Sequence, residues 1–236
     1  FKMAEDILSK ARRETPRAIE PIVLENILLY DAKGKPAVTY KKVTLDGEAV
    51  KDSSGSYITK NQDGWIAYFK SLRDGRTMPS LPLYYAVIER LQETGHSAAS
   101  GLLKDLSESW LCTSTEIDYV RDSVLHGIGF EPYKADCSIP LGNALGNVWL
   151  DEVEDDRNWH SALQALLMPK ELNSTIETLQ SFSRKRSCIW TPNASSRRDY
   201  PKRALWLGVG IERLVLVAAC RPSVVDDRSR GVRLEA

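Results

Sequence analysis

The chain of 236 residues carries 32 lysines and arginines against 32 aspartates and glutamates, so its formal net charge is zero, and 42% of its residues are hydrophobic. That length favours one substantial core with an appended segment, and the charge balance excludes a general polyelectrolyte binder of nucleic acid. The longest apolar runs, around 22–30 and 205–220, are too short or too interrupted to span a bilayer, and no amino-terminal signal pattern is present, so a soluble chain without membrane insertion is expected.

In chain order, Met3, Ile7, Leu8 and Ala11 suit a short amphipathic helix over 3–13 that Thr15-Pro16 ends. The opening Phe1-Lys2-Met3 leaves room for an upstream segment. Residues 22–30, 37–40 and 43–45 read as strands, separated by turn-forming residues at 31–36 and at Asp46-Gly47. The polar run 51–56 is the best internal loop, and a soft boundary falls near residue 60, a division that pairing of an early strand with a late one would make artificial by integrating 1–60 in the main domain. Trp65, Ile66, Tyr68, Phe69 and Leu72 predict a short helix over 63–71, and Tyr84, Val87, Ile88 and Leu91 predict a second that Gly95 stops. Leu102, Leu103 and Leu106 continue in a short helix, after which 110–115 turns strand-like. Trp159, Leu163, Leu166 and Leu167 form one helical stripe, and Leu172, Ile176 and Leu179 form another beyond Pro169.

Near the carboxyl end the period changes to two. Leu205, Leu207, Val209 and Ile211, then Leu214, Leu216, Ala218 and Cys220, recur at every second position and mark two half-buried strands with these side chains facing inward. Trp206, Gly208, Gly210, Arg213, Val215, Val217 and Ala219 then face the other way, a mixture in which no catalytic logic is visible. Polar loops at 194–200 and 222–227 flank these strands.

Lone candidates for chemistry read as structure. The cysteines at 112, 137, 188 and 220 lack C-x-x-C spacing and accompanying histidines, so no metal site is expected; two disulfides are conceivable, but Cys188 and Cys220 sit in apolar strands, where free cysteine behaves as a small hydrophobe. His96, His126 and His160 are isolated, with surface or helix-capping roles as the default. The acidic run 151–156 suits the positive end of a helix beginning near Asn158. The glycine-rich stretch 142–147 has no phosphate-cradling lysine after it, so no nucleotide cofactor is expected. Arg228, Arg230 and Arg233 suit pairing with carboxylates such as Asp226 and Asp227 on a solvated surface, and Trp65, Trp110, Trp149, Trp159 and Trp190 read as core.

Three segments in order carry a family resemblance. Asp74-Gly75-Arg76-Thr77-Met78-Pro79-Ser80 precedes a helix, Trp110-Leu111-Cys112-Thr113-Ser114-Thr115 begins a strand, and Gly231-Val232-Arg233 closes the chain. This arrangement resembles the C-type lectin fold of variable proteins diversified by retroelements and of their formylglycine-generating-enzyme-like relatives. The resemblance implies an α+β fold with mixed and antiparallel sheets and flanking helices over 61–236, an extension over 1–60, and a variable region near 190–233 that begins after Trp190-Thr191-Pro192. It further implies a non-enzymatic receptor whose ligand is macromolecular and a protein, on a chain that is a monomer or small homo-oligomer, associated with a virion or cell surface of viral, archaeal or bacterial origin.

The binding surface implied comprises Asn193, Ser195, Arg197, Arg198, Asp199 and Tyr200 of one loop, Trp206, Arg213, Val215 and Val217 of the strands, and Ser223, Val225 and Asp226 of the second loop. Trp206, Tyr200, Arg197, Arg198 and Arg213 are its expected anchors, because aromatic and guanidinium groups dominate interface hot spots. Two alternatives on the same scaffold have specific gaps. A calcium-dependent sugar site would need carboxylates where this chain has Thr191-Pro192-Asn193, and a formylglycine-generating enzyme would need activated thiols that the surroundings of Cys188 and Cys220 do not provide.

Overall fold

The structure, a computed structural model, describes residues 19–130, 132–141, 147–153, 155–192, 201–220, 222–223 and 227–235. It is an α+β fold. Ten strands lie among the described residues: β1 (Ile22–Tyr30), β2 (Pro36–Leu45), β3 (Leu111–Asp118), β4 (Ser123–His126), β5 (Tyr133–Asp136), β6 (Asn147–Trp149), β7 (Arg186–Trp190), β8 (Lys202–Val209), β9 (Arg213–Cys220) and β10 (Val232–Glu235). Five helices accompany them: α1 (Gln62–Leu72), α2 (Leu81–Glu93), α3 (Ala98–Glu108), α4 (Arg157–Leu167) and α5 (Leu172–Ser183). A three-stranded sheet runs β1-β2-β10, and a seven-stranded sheet runs β5-β4-β3-β8-β9-β7-β6. Pairing is antiparallel except between β7 and β9, which run parallel.

Local chemistry sets the helix ends. Asn61 caps α1 by accepting from the Gly64 amide, Ser80 caps α2 through the Leu83 amide, and Asp156 caps α4 through the amides of Asn158 and Trp159, so each satisfies amide donors that a helix start leaves open. Gly95, at φ +59°, supplies the left-handed turn just past α2. Met168 takes the same conformation after α4, and Pro169 prevents the helix from continuing.

The seven-stranded sheet separates two cores. Leu205, Leu207, Val209, Leu214, Leu216 and Ala218 enter the larger one, with side chains of α2, α4 and α5 and of the β1-β2 hairpin. The smaller core lies on the opposite face, where Trp65 and Phe69 of α1 meet Cys112, Trp206, Val217 and Val215. Trp65 stacks on Phe69 at 5.6 Å between ring centroids and donates from Nε1 to the Asp227 carbonyl at 2.7 Å, which fixes α1 over this part of the sheet.

Several expectations need correcting. Across the soft boundary near residue 60 an early strand does pair with a late one: β10 pairs with β2, and Ile22, Leu24, Val43 and Leu45 share the larger core with the carboxyl-terminal strands. The strands expected at 37–40 and 43–45 are one strand, β2. Arg228, Arg230 and Arg233 do face carboxylates, but these are Glu108, Asp105 and Asp74. Arg230 is also fully buried instead of solvated: its Nη2 lies 2.6 Å from Asp105 Oδ2, and its Nη1 donates to the Asp46 carbonyl. His126 is likewise interior, held between the Thr115 hydroxyl and the Ala165 carbonyl, and burial pushes its pKa down to about 4. Trp65 and Trp159 are core residues as expected, whereas Trp190 is 41% exposed and Trp110 and Trp149 are half-buried. The helix expected over 3–13 and most of the glycine-rich stretch lie outside the described residues.

Candidate functional site

The small core does not extend under the whole sheet. Beyond the reach of α1, toward β9, β7 and β6, the same face opens into a groove of about 590 Å³ lined by Trp110, Trp190, Ile211, Glu212, Arg213 and Val215. Strand register builds it. Gly208 pairs with Val215, Val215 with Cys188, and Cys188 with Trp149, which places these four in one row across the sheet. Val215 is the buried floor. Trp110 reaches the groove by lying over Gly208, where a Cβ would stand 2.6 Å from its Cδ1, so only glycine at 208 accommodates this approach.

Cations and aromatics share the open end. Arg186 and Arg213 are neighbours in the parallel pair, and their guanidinium carbons lie 4.3 and 6.0 Å from the Trp149 ring centroid. Arg186 is held by Asp151, at 2.9 and 2.7 Å, and by Glu152 at 2.9 Å. That guanidinium holds the Asp151 carboxyl below its ordinary value. No described carboxylate pairs with Arg213. Burial raises the Cys188 thiol beneath them, and the two guanidiniums draw it only part of the way back.

The expected site residues divide into three groups. Arg213 and Val215 line the groove, as wall and floor. Trp206 and Val217 were expected at the surface, but both are fully buried, because α1 covers the face they occupy. Ser223 is exposed at a turn, where its carbonyl accepts from Asn61 Nδ2 at 3.1 Å. Asn193, Ser195, Arg197, Arg198, Asp199, Tyr200, Val225 and Asp226 lie outside the described residues.

Groove residues missed in the sequence include Trp190 and Trp110, assigned to the core, and Ile211, assigned inward. Ile211 is 95% exposed, because it sits at the tip of the β8-β9 hairpin, where Val209 pairs with Leu214 and the Gly210 amide donates to the Arg213 carbonyl. The signal was available: with Gly210 beside them, Ile211-Glu212 read as a turn between two strands as well as the end of an alternation.

Among the described residues no group of three or more histidine, cysteine, aspartate or glutamate side chains could hold a metal ion, and no helix is long and apolar enough to cross a membrane. Compared with protein-family models, with curated proteins and with solved structures, the chain matches none of them.

Proposed function

We propose that this chain is a non-enzymatic ligand-binding protein of C-type lectin type, whose groove at the carboxyl-terminal sheet is the contact surface and is diversified by a retroelement. The observation that carries this reading is the division of one sheet face into a sealed half and an open half. The open half exposes Trp190, Ile211 and Arg213 without entrusting the core to Ile211 or Arg213. Exposed positions of this kind change stability by about 0.5 kcal/mol, while emptying a core position costs about 2 to 5. A surface can therefore vary there while the fold persists.

The three segments of the resemblance also meet in space, which favours the same reading. Thr77 and Val232 exchange both backbone hydrogen bonds at 2.9 Å, and the Ser114 amide donates to the Pro79 carbonyl at 2.8 Å. Arg233 Nε donates to the Asp74 carbonyl. Against the enzyme alternative, the Cys188 thiol is fully buried in β7.

The test is genetic. Sequencing the gene and its flanking DNA should reveal a reverse transcriptase and a near-copy of the codons for 190–233 that differs at template adenines. Across gene copies, substitutions should fall on Ile211 and Arg213 and spare Trp206 and Val217. Absence of the near-copy, or variation spread evenly over buried and exposed codons, would overturn the proposal.

A further inference from the structure

We infer that the groove recognises a protein partner through an aspartate or glutamate carboxylate set beside an apolar side chain, with Arg213 as its anchor. This inference rests on the ligand-binding reading above and names the chemistry of that ligand. It starts from the unequal treatment of two adjacent arginines. Arg186 has three hydrogen bonds to two carboxylates, and its charge is answered within the chain. Arg213, its partner across the β7-β9 pair, stands over the same indole at 6.0 Å and faces no carboxylate among the described residues. A half-buried guanidinium with an apolar floor beneath it has planar N–H donors left over, and their fork matches a carboxylate in two-point contact.

The rest of the lining sets what must accompany that carboxylate. Trp110, Trp190 and Ile211 offer apolar contact next to the cation, and a volume of about 590 Å³ holds a few side chains. Glu212 stands exposed on the rim, and Asp151 and Glu152 lie behind Arg186. These three carboxylates repel a polyanion, so one isolated negative group is accepted and a phosphate backbone or acidic tract is not. A peptide segment with a single acidic residue next to leucine, phenylalanine or tryptophan satisfies both requirements.

The experiment is selection of a random linear-peptide library displayed on phage against the full chain and against three variants. The wild-type chain should enrich peptides with one aspartate or glutamate beside an apolar residue. Arg213→Glu should lower their retention by roughly tenfold or more and enrich lysine- or arginine-bearing peptides instead. Arg213→Lys should keep part of the retention, since the charge persists without the fork. Ile211→Asp should lose the same peptides by placing a charge where apolar contact is required. Enrichment that depends on Ile211 but ignores the sign of the charge at 213 would overturn the carboxylate while leaving the groove as the contact surface. Failure to enrich any peptide would overturn this inference alone, because the codon survey tests the groove independently. Circular dichroism of each variant separates loss of fold from loss of contact.

Discussion

Two halves of one sheet face meet different fates in this molecule. At β3 and β8, Cys112 and Trp206 lie under Trp65 and Phe69 of α1 and are sealed from solvent. At β9 and β7, on the same face and only one or two strands away, Arg213 is half-buried and Trp190 is 41% exposed. Strand regularity does not explain the difference, because the register shifts, between Cys112 and Glu116 and between Ala204 and Trp206, lie in the sealed half, while the β7-β9 pair is continuous. What distinguishes the two halves is a helix that comes from elsewhere in the chain and is pinned by contacts of its own, among them the bond from Trp65 to Asp227. Alternation therefore assigns a side chain to a face, but burial is decided by whatever covers that face.

The strongest way to break this comparison is to empty the sealed half. Trp206→Ala removes a fully buried indole from a small core and should destabilise the chain by about 3 to 5 kcal/mol, seen as a large drop in the denaturant midpoint. Ile211→Ser at the exposed hairpin tip should stay within about 0.5 kcal/mol of wild type by the same measurement. Equal losses in the two variants would mean that the groove edge supports the core and is not free to vary.

Much of this was legible in advance, and the failures have a common physical origin. The helices at 62–72, 81–93, 98–108, 157–167 and 172–183 announced themselves through apolar spacing, and both carboxyl-terminal strands through period two. On β2 the pattern breaks between Tyr40 and Val43 and suggested two strands; the backbone continues, but its inward side changes phase, opposite Asn26 of β1 at φ +56°. Trp206 and Val217 were assigned to the surface because nothing in their own segment records that α1, over a hundred residues earlier, lies on top of them. Arg230 was assigned to a solvated pair for the same reason, since its partner Asp105 lies 125 residues away in sequence. Of the candidate site, Arg213 and Val215 were legible because hairpin and alternation are local, whereas Trp110 became part of the groove only through its approach to Gly208 across the β3-β8 pair.

Acid should also distinguish the covered region from the open one. His126 lies at the far end of the same sheet, under α4, where its Nε2–H donates to the Ala165 carbonyl, Nδ1 accepts from the Thr115 hydroxyl, and the Tyr133 ring stacks at 6.4 Å. Its folded pKa of about 4 is below the ordinary histidine value near 6.5, so the unfolded chain binds more protons between those limits. The stability is fully present above pH 6.5 and is lost as pH falls toward 4, by up to about 3 kcal/mol. Denaturant titrations across this window should show that decline, and His126→Gln should flatten it. An unchanged slope in the variant would mean that other groups carry the acid sensitivity.

A small effect on stability should come with the largest change in the shape of the groove. Gly208→Ala places a methyl group 2.6 Å from Trp110 Cδ1, a separation that one of the two must yield. Gly208 is fixed in β8 by pairing with Val215, so the backbone resists, while the half-buried indole of Trp110 has solvent to move into. The cost should accordingly fall near the lower end of overpacking, about 1 kcal/mol, because the strain is relieved by rotating one side chain instead of shifting a strand. Relief of that kind moves Trp110 out of the lining of the groove, so peptides retained by the wild-type chain should be lost even though the fold is nearly unchanged. A red shift in tryptophan emission, with a denaturant midpoint close to wild type, is the expected signature. If the midpoint instead falls as far as it does for Trp206→Ala, Trp110 is clamped as firmly as the sealed half, and the boundary between the two halves must be drawn beyond Gly208.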